Sequence, residues 1–226
     1  MDIQDVSDFG QFKVMLQNIE VNMALASLRK GETPRNLPSP SFLIQQHMLQ
    51  LQSQLQSNAH LLSQERHTIA TSQVPAPYPP CTLRATELKP IPISQMKLET
   101  HHRGCKVVVR VMVPPSRITA IMAIVEDERG TATLLQLYNQ PPEALVPAGE
   151  SLRQGCFYLL KEPFFKGTAS GSYSLRVDHV SDIMLLSDSD ELVPTKWRKT
   201  KTIAETSGSI RKRGNEAVGK KNWAEA

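Results

Sequence analysis

The sequence predicts an α+β chain made of a helical arm, a small antiparallel β-barrel and the opening of a further α-helical segment. Three observations carry that prediction. Apolar residues recur at three and four steps up to Leu62, six prolines crowd Val74 to Pro92, and beyond them Val, Ile, Leu and Thr gather into runs of strand length.

Within 226 residues a 40% hydrophobic share supports one modest core, and sixteen prolines place much of the remainder in connections. No run of about 18 apolar residues is present, as a membrane span would need, and Met1 to Phe9 is acidic where a secretory signal is basic and then apolar. A cytoplasmic or nuclear protein away from membranes is expected. Cys81, Cys105 and Cys156 show no CxxC spacing, so neither disulfides nor zinc are called for. The net charge of +4 is uneven, because residues 196–226 carry nine Lys or Arg against three Glu.

The helical arm is assigned to residues 1–73. Phe9, Phe12, Leu16, Ile19, Met23 and Ala26 share one helical face, and Arg29-Lys30-Gly31 ends that helix with a basic turn and a residue suited to a left-handed C′ position. Ser39-Pro40 opens a second helix, with serine as cap and proline in the first turn. Its seam reads Ile44, Met48, Leu51, Leu55, Asn58 and Leu62 amid Gln and Ser. A seam this narrow suits partner docking or pairing of helices, within one chain or between two.

Residues 74–95 are expected to be a proline-rich linker in extended conformation. The barrel is assigned to 96–187. Its strands are read at Lys106–Val113, Ile118–Glu126, Thr131–Tyr138, Cys156–Lys161, Tyr173–His179 and Ile183–Leu186, with a positive-φ glycine at Gly130 and a short helix around Glu150–Gln154. The long interruption between the third and fourth strands, with the phrases EDERGTATLLQLYN and LRQGCFYLLKEPFF, resembles an OB-fold in strand order. Such barrels often bind oligonucleotides on aromatics over a basic groove. Tyr138, Phe157, Tyr158, Phe164, Phe165 and Tyr173 would be the aromatics, and Arg110, Arg117, Lys161, Lys166 and Arg176 the cations. Interspersed acids such as Glu126, Asp127, Glu128, Glu162 and Asp178 argue against that use.

For catalysis the best constellation is Asp178-His179 with Cys156 or Ser174, but adjacent strand residues point to opposite faces. His101-His102 beside Cys105 lacks an evident fourth metal ligand. No cofactor is called for, and the chain by itself is expected not to be an enzyme.

Residues 188–208 form an acidic and then basic linker, from Ser187-Asp188-Ser189-Asp190-Glu191 to Lys196-Trp197-Arg198-Lys199. The last segment, 209–226, resembles the first helix and turn of a tetratricopeptide repeat (TPR), with Gly214-Asn215, Ala217, Asn222-Trp223 and Ala226 at the family's spacing; Val218-Gly219 departs from it. About half of one 34-residue repeat is present, so truncation within the first repeat is expected. Some repeats of this family hold a partner's C-terminal carboxylate with a cation and an asparagine. The resemblance carries that role onto Arg211 and Asn215.

Taken with AIMAIVEDERGTATLLQLYNQP and KEPFFKGTASGSYSLRVDHVSDI, this order of parts resembles the N-terminal region of fungal proteins in which TPR repeats precede a SET domain. The resemblance implies a non-catalytic protein-interaction, scaffolding module. A full-length relative would be a lysine-methyltransferase-like enzyme using S-adenosylmethionine. Protein partners are expected through the TPR region and the helical arm. A nucleic-acid-binding OB-like barrel and a TPR co-chaperone-like adaptor remain open as alternatives.

Overall fold

The computed structural model describes residues 13–14, 17, 21, 24–25, 27–61, 76–168, 171–198, 211 and 215. The chain divides into two compact units, 1–187 and 188–226. In the first, the described strands are β1 Lys89–Pro90, β2 Thr100–His101, β3 Cys105–Val111, β4 Ser116–Arg117, β5 Ile121–Asp127, β6 Ala132–Leu137, β7 Phe157–Lys161, β8 Phe164–Gly167, β9 Tyr173–Val177 and β10 Ile183–Leu186. Helix α1 is Pro40–Leu61 and helix α2 is Ala148–Ser151.

All ten strands belong to one sheet with the path β10-β7-β3-β5-β6-β9-β8-β2, with β1 beside β3 and β4 beside β5. This corrects the expected fold class. The sheet is mixed, since β6 runs parallel to β9 and β1 parallel to β3. No ladder closes it into an antiparallel barrel, and among the described residues there is no helical repeat. The parallel β6–β9 pair needs a long crossover, and the connection here contains α2, β7 and β8. The two-residue strands β1, β2 and β4 arise in proline-bearing or loop segments too short to show a period of two.

The main strands agree with the sequence reading to within a few residues, and β10 agrees at both ends. Along β3, Val107, Val109 and Val111 are buried while Lys106, Val108 and Arg110 are less so, the alternation of a strand with one face on a core. β7 lies near one end of the path and β8 near the other, yet only Glu162 and Pro163 separate them. The sheet therefore curls, with β7 and β8 joined at a covalent corner while no ladder closes it among the described residues. Proline has no amide for a ladder, and Glu162 turns the corner at φ +45°.

The proline-rich stretch read as a linker is packed. Leu88 and Ile93 are buried, and Ile93 enters the common core together with Met96 and Leu98 just beyond the stretch. Burying each such side chain contributes about 1.5–3 kcal/mol, so this strap is part of the fold.

Helix α1 begins as expected, with Pro40 first and the Ser39 hydroxyl accepting from the Phe42 amide at 3.3 Å. Its buried residues differ from the seam that was read. Leu43 and His47, one turn apart, face inward, whereas Met48 is 42% exposed. The helix lies against β5 and β6, Leu43 joins the core, and His47 Nε2 donates to the Pro114 carbonyl at 3.1 Å. The side chains of Leu55 and Asn58, and Leu62 itself, lie outside what is described. So do Phe9, Phe12, Leu16, Ile19, Met23 and Ala26, although residues 13, 14, 17, 21, 24, 25, 27 and 28 are helical. Gly31 has φ +83° and Gly130 φ +79°, the left-handed conformations expected at these two positions. Among the described residues no helix is long and apolar enough to cross a membrane.

Candidate functional site

Four carboxylates hold the strap and its continuation to the sheet. Asp178, just past β9, accepts from the Tyr78 amide at 3.3 Å, and Asp182 accepts from the Cys81 amide at 3.1 and 3.2 Å. Asp127 takes the Ile93 amide at 2.8 Å through one oxygen and the Arg129 and Thr131 amides at 2.9 Å each through the other. Glu162 accepts from the Gly104 amide and from Arg103, both at 2.7 Å. A buried carboxylate is tolerated only when so satisfied.

These commitments decide the fate of the catalytic candidates. Asp178 forms a bidentate pair with Arg176, at 2.7 Å to Nε and 2.6 Å to Nη2, while His179 Nε2 hydrogen-bonds the Tyr78 carbonyl. The Ser174 hydroxyl donates to Gln136 at 3.1 Å, and Cys156 belongs to the turn before β7. The structure does not bring Asp178, His179, Ser174 and Cys156 together as a reacting set. His102 Nε2 accepts from the Lys97 amide at 3.0 Å while Nδ1 donates to the Pro163 carbonyl at 3.2 Å, which defines a neutral tautomer. Burial lowers its pKa and that of His101, whose ring lies 4.2 Å from the Tyr78 ring. Among the described residues no group of three or more His, Cys, Asp or Glu could hold a metal ion.

The aromatic and basic residues read for an oligonucleotide surface are largely used inside the fold. Tyr138, Phe157, Tyr158 and Phe165 are buried, and burial pushes the hydroxyl pKa values of Tyr138 and Tyr158 up. Arg110 pairs with Glu126, Arg117 with Glu143 at 2.6 Å, and Arg176 with Asp178. Phe164, Tyr173, Lys161 and Lys166 keep partial exposure.

An open groove of about 1320 Å³ lies elsewhere, between the connection from Glu32 to Pro40 and the adjacent starts of β6 and β9. Its position follows from the parallel pairing of those strands, which places Ala132 and Tyr173 at the same end of the sheet. A smaller pocket of about 240 Å³ adjoins it, and both are lined by Arg29 and Tyr173. Arg29 Nη1 donates to the Tyr173 hydroxyl at 3.0 Å and its Nε pairs with Glu32 at 3.1 Å. The Tyr173 bond, then the Glu32 bond, holds the guanidinium pKa above its ordinary value. The turn carrying Arg29 is anchored by reciprocal bonds, Gly31 amide to Leu98 carbonyl and Leu98 amide to Glu32 carbonyl, each 2.8 Å. The groove therefore has polar walls and is bordered by a braced turn. Sequence reading missed it. Arg29 was seen only as a helix-terminal cation, and Thr33-Pro34-Arg35-Asn36 carries no periodicity that would mark a site.

In the second unit, the Arg198 guanidinium caps the carbonyls of Val193 and Glu191 at 2.7 Å each, and Lys196 lies 5.4 Å from the Trp197 ring centroid. Arg211 and Asn215 are helical and exposed. Four steps apart on a helix, they share a face. Gly214, Ala217, Asn222, Trp223 and Ala226 lie outside the described residues.

No family model matches the chain. A solved structure, Schizosaccharomyces pombe Pot1pC bound to single-stranded DNA, aligns with 46% of this chain and 91% of its own at 14% identity and a TM-score of 0.36. A "Methyltransferase" of Gibberella zeae is 45% identical over 227 residues, covering 100% of this chain. The expectation that the chain by itself is not an enzyme is corrected by that match, because the protein to which it is similar over its whole length is named as one. The chain is thus similar over its whole length to a fungal protein named a methyltransferase, and it spans 28% of that protein.

Proposed function

We propose that this chain is a protein-binding region of a larger methyltransferase, and that the groove beside β6 and β9 is where a protein substrate or partner lies. The observation that carries this reading is the 45% identity along the entire chain to a protein named a methyltransferase. In the finer form of the proposal the whole protein is of the kind in which TPR repeats precede a SET domain, with S-adenosylmethionine as methyl donor. Arg211 and Asn215 would then meet a partner's carboxylate from one helix face. The three free cysteines suit a cytoplasmic or nuclear setting.

The experiment deletes the matching region from the Gibberella zeae protein and follows methyl transfer from S-adenosylmethionine to a protein substrate. The KM for the protein is expected to rise by about tenfold or more while the KM for the methyl donor holds, the pattern of lost substrate binding. An unchanged KM for the protein would remove the binding role. Failure of the intact protein to methylate any protein in a fungal extract would remove the protein-methyltransferase assignment.

A further inference from the structure

One wall of the groove is the connection Thr33–Leu37, which bends at Arg35. The backbone amides of Thr33, Arg35, Asn36 and Leu37 make no hydrogen bond among the described residues, Pro34 has none to give, and Arg35 and Asn36 are exposed without side-chain partners. Ser94, Thr131 and Tyr173 stand on the other side. The one acid lining the groove, Glu32, is paired with Arg29. The cavity thus offers an unpaired guanidinium, an amide, the hydroxyls of Thr33, Ser94 and Thr131, and four free backbone amides interrupted by Pro34. It offers no unpaired carboxylate.

We infer that this groove takes an extended acidic stretch of polypeptide, with Arg35 pairing a carboxylate and the Thr33–Leu37 backbone adding hydrogen bonds; this rests on the protein-binding reading of the same groove. A carboxylate on a guanidinium makes a charge-assisted, often bidentate contact. The free amides on either side of the bend can donate to carboxylates or carbonyls of a bound peptide. A single strand of nucleic acid fits less well. It needs several clustered cations and accessible stacking rings. Tyr173, the aromatic lining the groove, has its hydroxyl bonded to Arg29 and its ring 5.9 Å from that of Phe165.

The test is fluorescence anisotropy on the intact chain with a labelled, end-blocked octapeptide of alternating Asp and Ala, beside its Asn–Ala counterpart and a short oligothymidylate. The acidic peptide is expected to bind at least about tenfold more tightly than the neutral one, with affinity falling as salt rises. Arg35→Ala should weaken it about tenfold, Arg35→Lys should restore part of the loss, and Lys30→Ala, outside the groove lining, should leave binding unchanged. Matching thermal melts would establish that the variants fold. Equal binding of the neutral peptide, indifference to Arg35→Ala, or displacement by oligothymidylate at lower concentration than by peptide would each overturn the inference. No methyl donor is present in this assay, so its failure beside a deletion that still raises the KM for protein would remove the acidic preference alone.

Discussion

Arg176 and Asp178, two residues apart at the end of β9, form a bidentate ion pair at 2.7 and 2.6 Å whose side chains are 10% and 0% exposed. The same carboxylate receives the Tyr78 amide, and Arg176 also donates to the Ala76 carbonyl at 3.1 Å. The pair therefore fastens the beginning of the strap to the sheet. Asp178→Ala would leave a buried guanidinium without its counter-charge, which typically costs about 3–5 kcal/mol. Urea denaturation should show that loss. Replacing both residues by apolar ones, Arg176→Met with Asp178→Leu, should cost much less.

Asp182 holds the next point of the strap through the Cys81 amide. Asp182→Ala should cost about 1–3 kcal/mol by leaving that amide unsatisfied. A local readout is available, because Cys81 is buried and burial pushes its thiol pKa up. Alkylation of Cys81, located by peptide mass spectrometry, should become faster in the variant under conditions where the whole domain remains folded. Unchanged reactivity would mean the strap is held without Asp182.

Burial pushes the Glu162 carboxyl up, but the Gly104 amide and then Arg103 more than offset it and hold the group below its ordinary 4.5. A carboxyl with a lowered folded pKa gives stability that is complete above the unfolded value and is lost as pH falls through the folded one. The chain should therefore lose part of its stability below about pH 4.5. Glu162→Gln should flatten that part of the acid profile, measured as the thermal midpoint between about pH 6 and 3.

Docking of α1 rests on its first turns. Leu43→Ala removes a core side chain that is 4% exposed and should cost about 2–5 kcal/mol. Leu49→Ala, at a position 60% exposed, should change stability by about 0.5 kcal/mol or less. Similar losses at both positions in urea titrations would place the docked face wrongly.

Much of the sheet was legible because its long strands carry local signals. Cys105–Val111 is rich in β-branched valine, and Asp127 to Gly130 has the residues of a tight turn. The groove was not legible, since Arg29, Arg35 and Tyr173 acquire a shared role only when β6 and β9 pair in parallel. The reading of Val74 to Pro92 shows the same limit from the other side. Proline keeps a long helix and a central strand out of it, although the chain turns through a 3-10 helix at Ala85–Glu87, and whether such a chain floats or packs depends on partners 100 and 101 residues away.

By itself the sequence determined the main strands, the turns at Gly31 and Gly130 and the start of α1 at Ser39-Pro40, because each depends on neighbours within a few residues. Only the tertiary structure decided that the sheet is mixed and open, that the strap is pinned by Asp127, Asp178 and Asp182, and that a polar groove opens beside Tyr173. Those features depend on which distant strands pair and which buried charges find an amide, and hydrophobic periodicity encodes neither.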